Sequence, residues 1–268
     1  MPSALPLITL LTDFGERDWF VASMKGVILS INPAARIVDL SHHITPHRID
    51  EAAYCLRSCY RYFPEGTVHV AVVDPGVGSG RRAILVKTAR YYFVAPDNGL
   101  LTPIFTEEPD AEIWQLENRQ YRLESQGATF HGRDVFAPAA AWLSTGLHAG
   151  VFGPPVSDPV TIDWPQPMVE GARVRGHIVY VDCFGNAISN ITSAHVMAVQ
   201  AGIGSASVTI RLLDHRIEGL VGSYQAGRSG APCGLINSNG VLEVFVKEGS
   251  AASLLGVSVG APIVISRE

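Results

Sequence analysis

Long apolar runs are missing from this chain. Across its 268 residues nothing approaches the roughly eighteen consecutive apolar side chains of a membrane-spanning helix. The opening MPSALPLITLLTDFG carries no basic residue ahead of its apolar segment and meets Asp13 early, so it does not read as a signal peptide, and a cytoplasmic location is expected. Cysteine is scarce. Cys55, Cys59, Cys183 and Cys233 form neither a C-x2-C zinc pattern nor a disulfide framework, and they read as buried, reduced thiols. Positive charge is in short supply as well. Lys and Arg number 20 against 25 Asp and Glu, for a net charge of −5, and they are scattered instead of gathered into a stripe. That argues against a nucleic-acid or membrane surface and leaves a small molecule as the expected partner. Repeats of fixed period and low-complexity segments are absent too.

What is present is core material: 47% of residues are hydrophobic and 17% charged, enough for one large domain or two modest ones. The first half alternates strand-like and helix-like segments: LITLLTDF, then DWFVASMKGVILSI, RIVDLSH, RIDEAAYCLRSCYRYF and TVHVAVVD. That order predicts a parallel sheet with crossover helices. AILVKT and YYFVAPDN can pair as a hairpin, and HGRDVFAPAAAWLSTG reads as a loop entering a helix that Gly146 ends. The proline-rich VFGPPVSDPVTIDWPQP cannot continue a helix or a central strand and serves as the linker. Beyond it, ARVRGHIVYVDCFGNAISNI, ASVTIRLL, RIEGLVGSY, CGLINSNGVLEVFVK and GAPIVISR read as strands divided by glycine turns, with one short helix near SAHVMAVQ. The expected fold is therefore an α/β domain over residues 1–165 and a smaller, β-barrel-like domain over 166–268.

Ligands bind open α/β sheets at the carboxyl ends of the parallel strands. Asp13, Asp74 and Asp97 end three such strands, although any one of them also suits a turn or helix cap. VAVVDPGVGSGRRAILV resembles a phosphate loop at first sight. Its glycines lead into a β-branched strand, however, and a phosphate loop must open a helix. What remains is a turn that lets backbone approach a ligand closely, with Asp74 before it and Arg81 after it, or else a hairpin-like turn whose charges are simply solvated; the adjoining Arg82 leaves open which guanidinium points inward. In TFHGRDVFAP, His131 stands beside Arg133 and Asp134, either as a proton-handling group or as a backbone-bonded residue next to a local ion pair. His42, His43 and His47 invite a metal, but they lack the i, i+4 pair with a glutamate, and Pro46 interrupts any helix. VDCFGNAISN joins Asp182, Phe184, Asn186 and Asn190: a hydroxyl acceptor, a stacking face and amides, which a nucleoside needs and which a turn would also use. Asp13-Phe14-Gly15 spells a kinase motif without any kinase context.

Taken in order, LLTDFG, VVDPGVGSGRR, APDNG, TFHGRDVFAP, VDCFGNAISN and INSNGVLEV resemble the S-adenosylmethionine hydroxide adenosyltransferase family, hydrolytic relatives of the fluorinase and chlorinase, over essentially the whole chain. The resemblance implies cleavage of S-adenosylmethionine by water into adenosine and methionine, without metal or cofactor, in a homotrimer whose active sites lie between neighbouring subunits. It puts the water-activating set on Asp74, Arg81 and His131; halogenases have tyrosine at the position of Asp74 and lack the arginine and histidine. It also implies a ribose contact at Asp13, methionine contacts at Asp182 and Ser238, an adenine contact at Asn186, adenine stacking on Tyr224 and adenine-edge backbone contacts near Val246. Two rival readings stand beside it. One is a metal-dependent hydrolase built on His42, His43, His47 and the strand-end aspartates, and the other a non-catalytic S-adenosylmethionine or adenosine sensor.

Overall fold

In the computed structural model, residues 6–124, 126–201 and 208–267 are described, and the chain divides into two units, Met1–Asp163 and Trp164–Glu268. The first is built on a six-stranded sheet ordered β2-β1-β3-β5-β4-β6. Its strands are β1 (Leu7–Thr12), β2 (Arg36–Ser41), β3 (Val68–Val72), β4 (Ala83–Lys87), β5 (Tyr92–Pro96) and β6 (Glu112–Gln115). β2, β1, β3 and β5 run parallel, while β4 pairs antiparallel with β5 and with β6.

The central strands are apolar on both faces because helices cover both. Ile8, Leu10, Val68, Val70, Val72 and Val94 pack with helices α1 (Phe20–Ile31) and α4 (Ala137–Ser144). Leu11, Ala71, Val73, Phe93 and Ala95 point the other way, onto α2 (Ile49–Cys59) and α3 (Thr102–Glu107). The loop expected before α4 is instead a π-turn, Gly132–Phe136, that runs directly into the helix. α3 and β6 escape the sequence pattern because six and four residues are too short to display a period.

The second unit is an antiparallel, nearly closed barrel. Its strands are β7 (Met168–Glu170), β8 (Arg173–Val181), β9 (Ala187–Thr192), β10 (Val208–Leu212), β11 (His215–Glu218), β12 (Pro232–Ile236), β13 (Val241–Val246) and β14 (Pro262–Arg267). The order is β11-β10-β14-β8-β9-β13-β12, with β7 on β8. Val221 N–H donates to Gly234 O at 2.9 Å, bringing the chain after β11 against β12. Helix α5 (Ser193–Gln200) occupies the segment read as helical, and a short α6 (Ala251–Leu255) follows β13. The strand expected over RIEGLVGSY stops at Glu218, since Gly219 takes φ +70 and turns the chain out of the ladder.

Candidate active site

Adjacent parallel strands β1, β3 and β5 deliver Asp13, Asp74 and Asp97 to one edge of the first unit's sheet, but the three carboxylates meet different partners. After β3 the chain turns twice, with Val77 N–H on Asp74 O at 3.2 Å and Ser79 N–H on Gly76 O at 3.1 Å. Gly78 sits between the two at φ +78, where a Cβ would press on Ala128 O. The turns return Arg81 to Asp74. Arg81 Nε donates to Asp74 Oδ1 at 2.8 Å and Nη2 to Oδ2, a bidentate pair whose side chains are 9% and 5% exposed. The same Nη2 lies 2.8 Å from His131 Nδ1, and the guanidinium carbon lies 5.3 Å from the centre of the Phe136 ring.

That geometry fixes a tautomer. A guanidinium has only donors, so His131 Nδ1 accepts, and the neutral ring carries its proton on Nε2. Burial, with Arg81 alongside, holds the imidazole below its ordinary value, in agreement with a neutral ring.

Arg82 faces the other way, as consecutive residues of an extended segment do. Its Nε donates to Asp97 Oδ2 at 2.7 Å and its Nη1 to Asp158 Oδ1 at 2.7 Å, while Asp97 Oδ1 accepts Val160 N–H at 2.8 Å. The inward guanidinium is therefore Arg81, and Asp97 anchors the loop. Asp13 Oδ2 accepts the backbone N–H of His47 at 2.9 Å, and His47 itself adopts φ +69. Arg133 pairs with Asp134 at 2.6 Å, the local ion pair that the sequence allowed.

The three histidines of the β2–α2 loop diverge. His42 is buried between Thr12 Oγ1 (2.8 Å) and Asp39 (3.0 Å), His43 stands exposed 3.8 Å from Glu16, and His47 offers its backbone. Among the described residues no group of three or more His, Cys, Asp or Glu side chains is placed to hold a metal ion.

In the second unit a cavity of about 730 Å³ is lined by Asp182, Phe184, Asn186, Tyr224, Phe245 and Val246, among others. The turn between β8 and β9 shapes one wall. Asp182 Oδ1 accepts the N–H groups of Phe184 and Asn186, and Oδ2 accepts Asn186 Nδ2, each at 2.9 Å. Gly185, at φ +81, abuts Ser250, the cap of α6, so closely that a Cβ would overlap its side chain. Phe184 is 73% exposed and Tyr224 49%, so both present aromatic surface to the cavity on which a planar ring could stack. Val246 ends β13 with its carbonyl accepting Gly249 N–H at 3.1 Å. Ser238 lies outside the cavity lining, exposed at the tip of the β12–β13 hairpin.

One buried carboxylate, Glu243, lies outside the residues that the sequence motifs point to. Glu243 is 2% exposed, yet its Oε1 accepts from Tyr224 OH at 2.8 Å and its Oε2 from Asn237 Nδ2 at 2.9 Å. Burial and this bond push the Tyr224 phenol up to about 12, so it remains a donor. The signal was there: a lone glutamate inside VLEVFV, a strand buried along its whole length. Lys247 and Glu248, which also line the cavity, had no such signal.

Both units match one family. The SAM hydroxide adenosyltransferase N-terminal domain matches residues 8–153, and the C-terminal domain of the same description matches residues 176–264. The chain belongs to the SAM hydroxide adenosyltransferase family. It is 38% identical to an (R)-S-adenosyl-L-methionine hydrolase of Thermus thermophilus, over 96% of this chain and 98% of that one. A fluorinase from an Actinoplanes species is 28% identical over 98% of each chain. The crystal structure of an uncharacterized conserved protein from Thermotoga maritima superposes with a TM-score of 0.91 at 36% identity, covering 97% of this chain and 100% of that one.

Proposed function

We propose that this chain is an (R)-S-adenosyl-L-methionine hydrolase that attacks the ribose 5′ carbon with water and forms adenosine and methionine. The observation that carries the reading is the Asp74–Arg81–His131 cluster, a bidentate ion pair holding a neutral imidazole in one tautomer. The similarity to hydrolases along nearly the whole chain supports the same reaction.

A sulfonium departs without protonation. The C5′–S bond breaks with its electron pair going to sulfur, which leaves as the neutral thioether of methionine, while water oxygen bonds to C5′ and gives up a proton. No general acid is needed. The protein's task is to hold the sugar, align one water behind C5′ and exclude the rest. Each Asp74 oxygen keeps a lone pair beyond its bond to Arg81, so the carboxylate can take the water's hydrogen, and His131 Nε2–H can orient the same oxygen. Arg81 fixes both partners. Asp74 in place of a halogenase tyrosine favours water over halide as nucleophile.

Asp13 takes a ribose hydroxyl in this reading. Asn186 and the backbone near Val246 meet the adenine edge, Tyr224 stacks on its face, and Asp182 and Ser238 meet the methionine portion. The cavity lined by Asp182, Asn186, Tyr224 and Val246 supports the adenine assignments. The active assembly is a homotrimer in which neighbouring subunits complete each site. We place the enzyme in the cytoplasm, consistent with its four free cysteines; they are not all buried as expected, since Cys183 is exposed on the β8–β9 turn and Cys55 and Cys59 are half-buried, with thiols pushed by burial to about 11 and about 12. Among the described residues no helix is long and apolar enough to cross a membrane.

Incubation with S-adenosylmethionine in water labelled with heavy oxygen, with and without chloride and a chelator, tests the reading. Label in the adenosine 5′-hydroxyl is expected under every condition. Chlorinated nucleoside, chelator-sensitive turnover, or binding without product would overturn it.

A further inference from the structure

Arginines that look scattered along the sequence are gathered by strand register in the second unit. On the outer face of the barrel, Arg175 of β8 pairs with Val264 of β14, Val264 with Arg211 of β10, and Arg211 with Arg216 of β11. One rung along, Arg173 pairs with Ser266, Ser266 with Thr209, and Thr209 with Glu218. Because side chains alternate across a strand, all eight share one face. Seven of them, with Arg267, line a trough of about 530 Å³, with Arg173 and Arg175 on one flank, Arg211 and Arg216 on the other, and Val264, Ser266 and Thr209 between.

Acidic residues compensate only part of this charge. Glu170 pairs with Arg175 at 2.9 Å, and Glu218 pairs with Arg216. Arg267, at the end of the trough, is occupied by the Val199, Ala198 and Ala201 carbonyls at the end of α5. Arg173 and Arg211 are exposed and carry no ion pair among the described residues. Two strand spacings and one rung separate them, placing their backbones on the order of 10 Å apart. In a chain of net charge −5, this is a concentrated positive site.

We infer that the trough is a binding site for a small molecule carrying two or more linked phosphate groups. Guanidinium pairs grip phosphate oxygens bidentately, and flanking arginines separated by several ångströms match a chain of phosphates better than a single carboxylate. The volume is that of a small-ligand pocket, not of an extended macromolecular face. Glu170 and Glu218 hold two of the guanidiniums ready, to be released when a stronger anion arrives.

The test is calorimetric titration of the full chain with inorganic tripolyphosphate at about 25 mM and about 250 mM salt. Saturable binding that weakens at least about 10-fold at the higher salt is expected, since several charges must be involved. Arg173→Ala/Arg211→Ala should lose at least about 10-fold in affinity, with its melting curve unchanged because both side chains are exposed. Arg90→Ala, an exposed arginine of the first unit paired with Glu65, should bind as the parent does. Absence of binding at low salt, unchanged affinity in the double variant, or binding of a single-stranded RNA but not of tripolyphosphate would overturn the proposal.

Discussion

At the scale of single residues, Arg81 is the hinge of the proposed chemistry, because one guanidinium holds both a carboxylate and an imidazole. Lysine keeps the charge but not the fork, so Arg81→Lys should bind S-adenosylmethionine with similar KM while kcat falls about 100-fold. A kcat within a few-fold of the parent would remove Arg81 from the mechanism. His131 adds a pH dependence whose sign follows from its tautomer. Protonation would convert Nδ1 into a donor facing Arg81, so the neutral ring is the working form. Its value is depressed, so kcat/KM should stay level at neutral pH and fall only on acidification below about 6.5, the ordinary histidine value. A fall beginning above pH 7 would contradict this. Glu243 holds Tyr224 and Asn237, so in the proposed reading it is a positioning residue that acts through them. Glutamine at 243 can accept from Tyr224 or from Asn237 but not from both, so Glu243→Gln should raise KM by about 10-fold and leave kcat within a few-fold. Equal loss in kcat would show that Glu243 does not act through substrate binding.

Elements bring these residues together, and they differ in how much of themselves the sequence displays. The strands β1, β3 and β5 are short, mostly apolar runs followed closely by an aspartate, so both the parallel sheet and the edge carrying Asp13 and Asp74 were legible. The strand after VGSGRR excluded a phosphate cradle for the same reason. The inward member of Arg81-Arg82 was not legible, since it depends on Asp97 and Asp158 capturing Arg82 from far along the chain. The Glu243 network escaped for a similar reason: its partners, Tyr224 and Asn237, come from separate turns. Two element-level predictions follow from burial. His69, on β3, is fully buried, bonded to Thr9 Oγ1 at 2.8 Å and stacked on Phe93, and burial depresses it to about 3. The unfolded chain binds a proton there near pH 6.5 and the folded chain does not. Stability is therefore complete above that pH and declines on acidification, by up to roughly 1 kcal/mol per pH unit, until the folded value is reached. Urea melts of the parent and of His69→Gln from about pH 7 to about pH 4 should show a shallower acid limb in the variant; parallel limbs would rule out His69 as the cause. The other concerns the β8–β9 turn. Gly185→Ala places a methyl against Ser250 at a left-handed φ, so it should cost on the order of 2 kcal/mol in stability and raise KM, as the wall carrying Asn186 shifts.

For the whole molecule, the candidate groups divide between two units: Asp13, Asp74, Arg81 and His131 in one, Asp182, Asn186, Tyr224 and Val246 in the other. A single chain's sequence shows that division but carries no direct record of which copy completes which site, because a symmetric interface adds no residue beyond those already in the chain. The proposed trimer makes the point measurable. Suppose each site takes its Arg81 from one subunit and its Asn186 from a neighbour. Arg81→Ala and Asn186→Ala proteins are then both nearly inactive alone, and in mixed trimers some sites receive Arg81 and Asn186 both intact. Random reassembly from equal amounts should restore about a quarter of the parent activity, since the two halves of a site are drawn independently. Sites contained within one subunit would give no recovery at any mixing ratio, because every chain then carries one defect in its own site. The measurement is adenosine release after co-refolding or subunit exchange, with sedimentation reporting the assembly state of each sample. Recovery that rises with the mixed fraction and peaks at equal proportions supports shared sites, and a flat response refutes them.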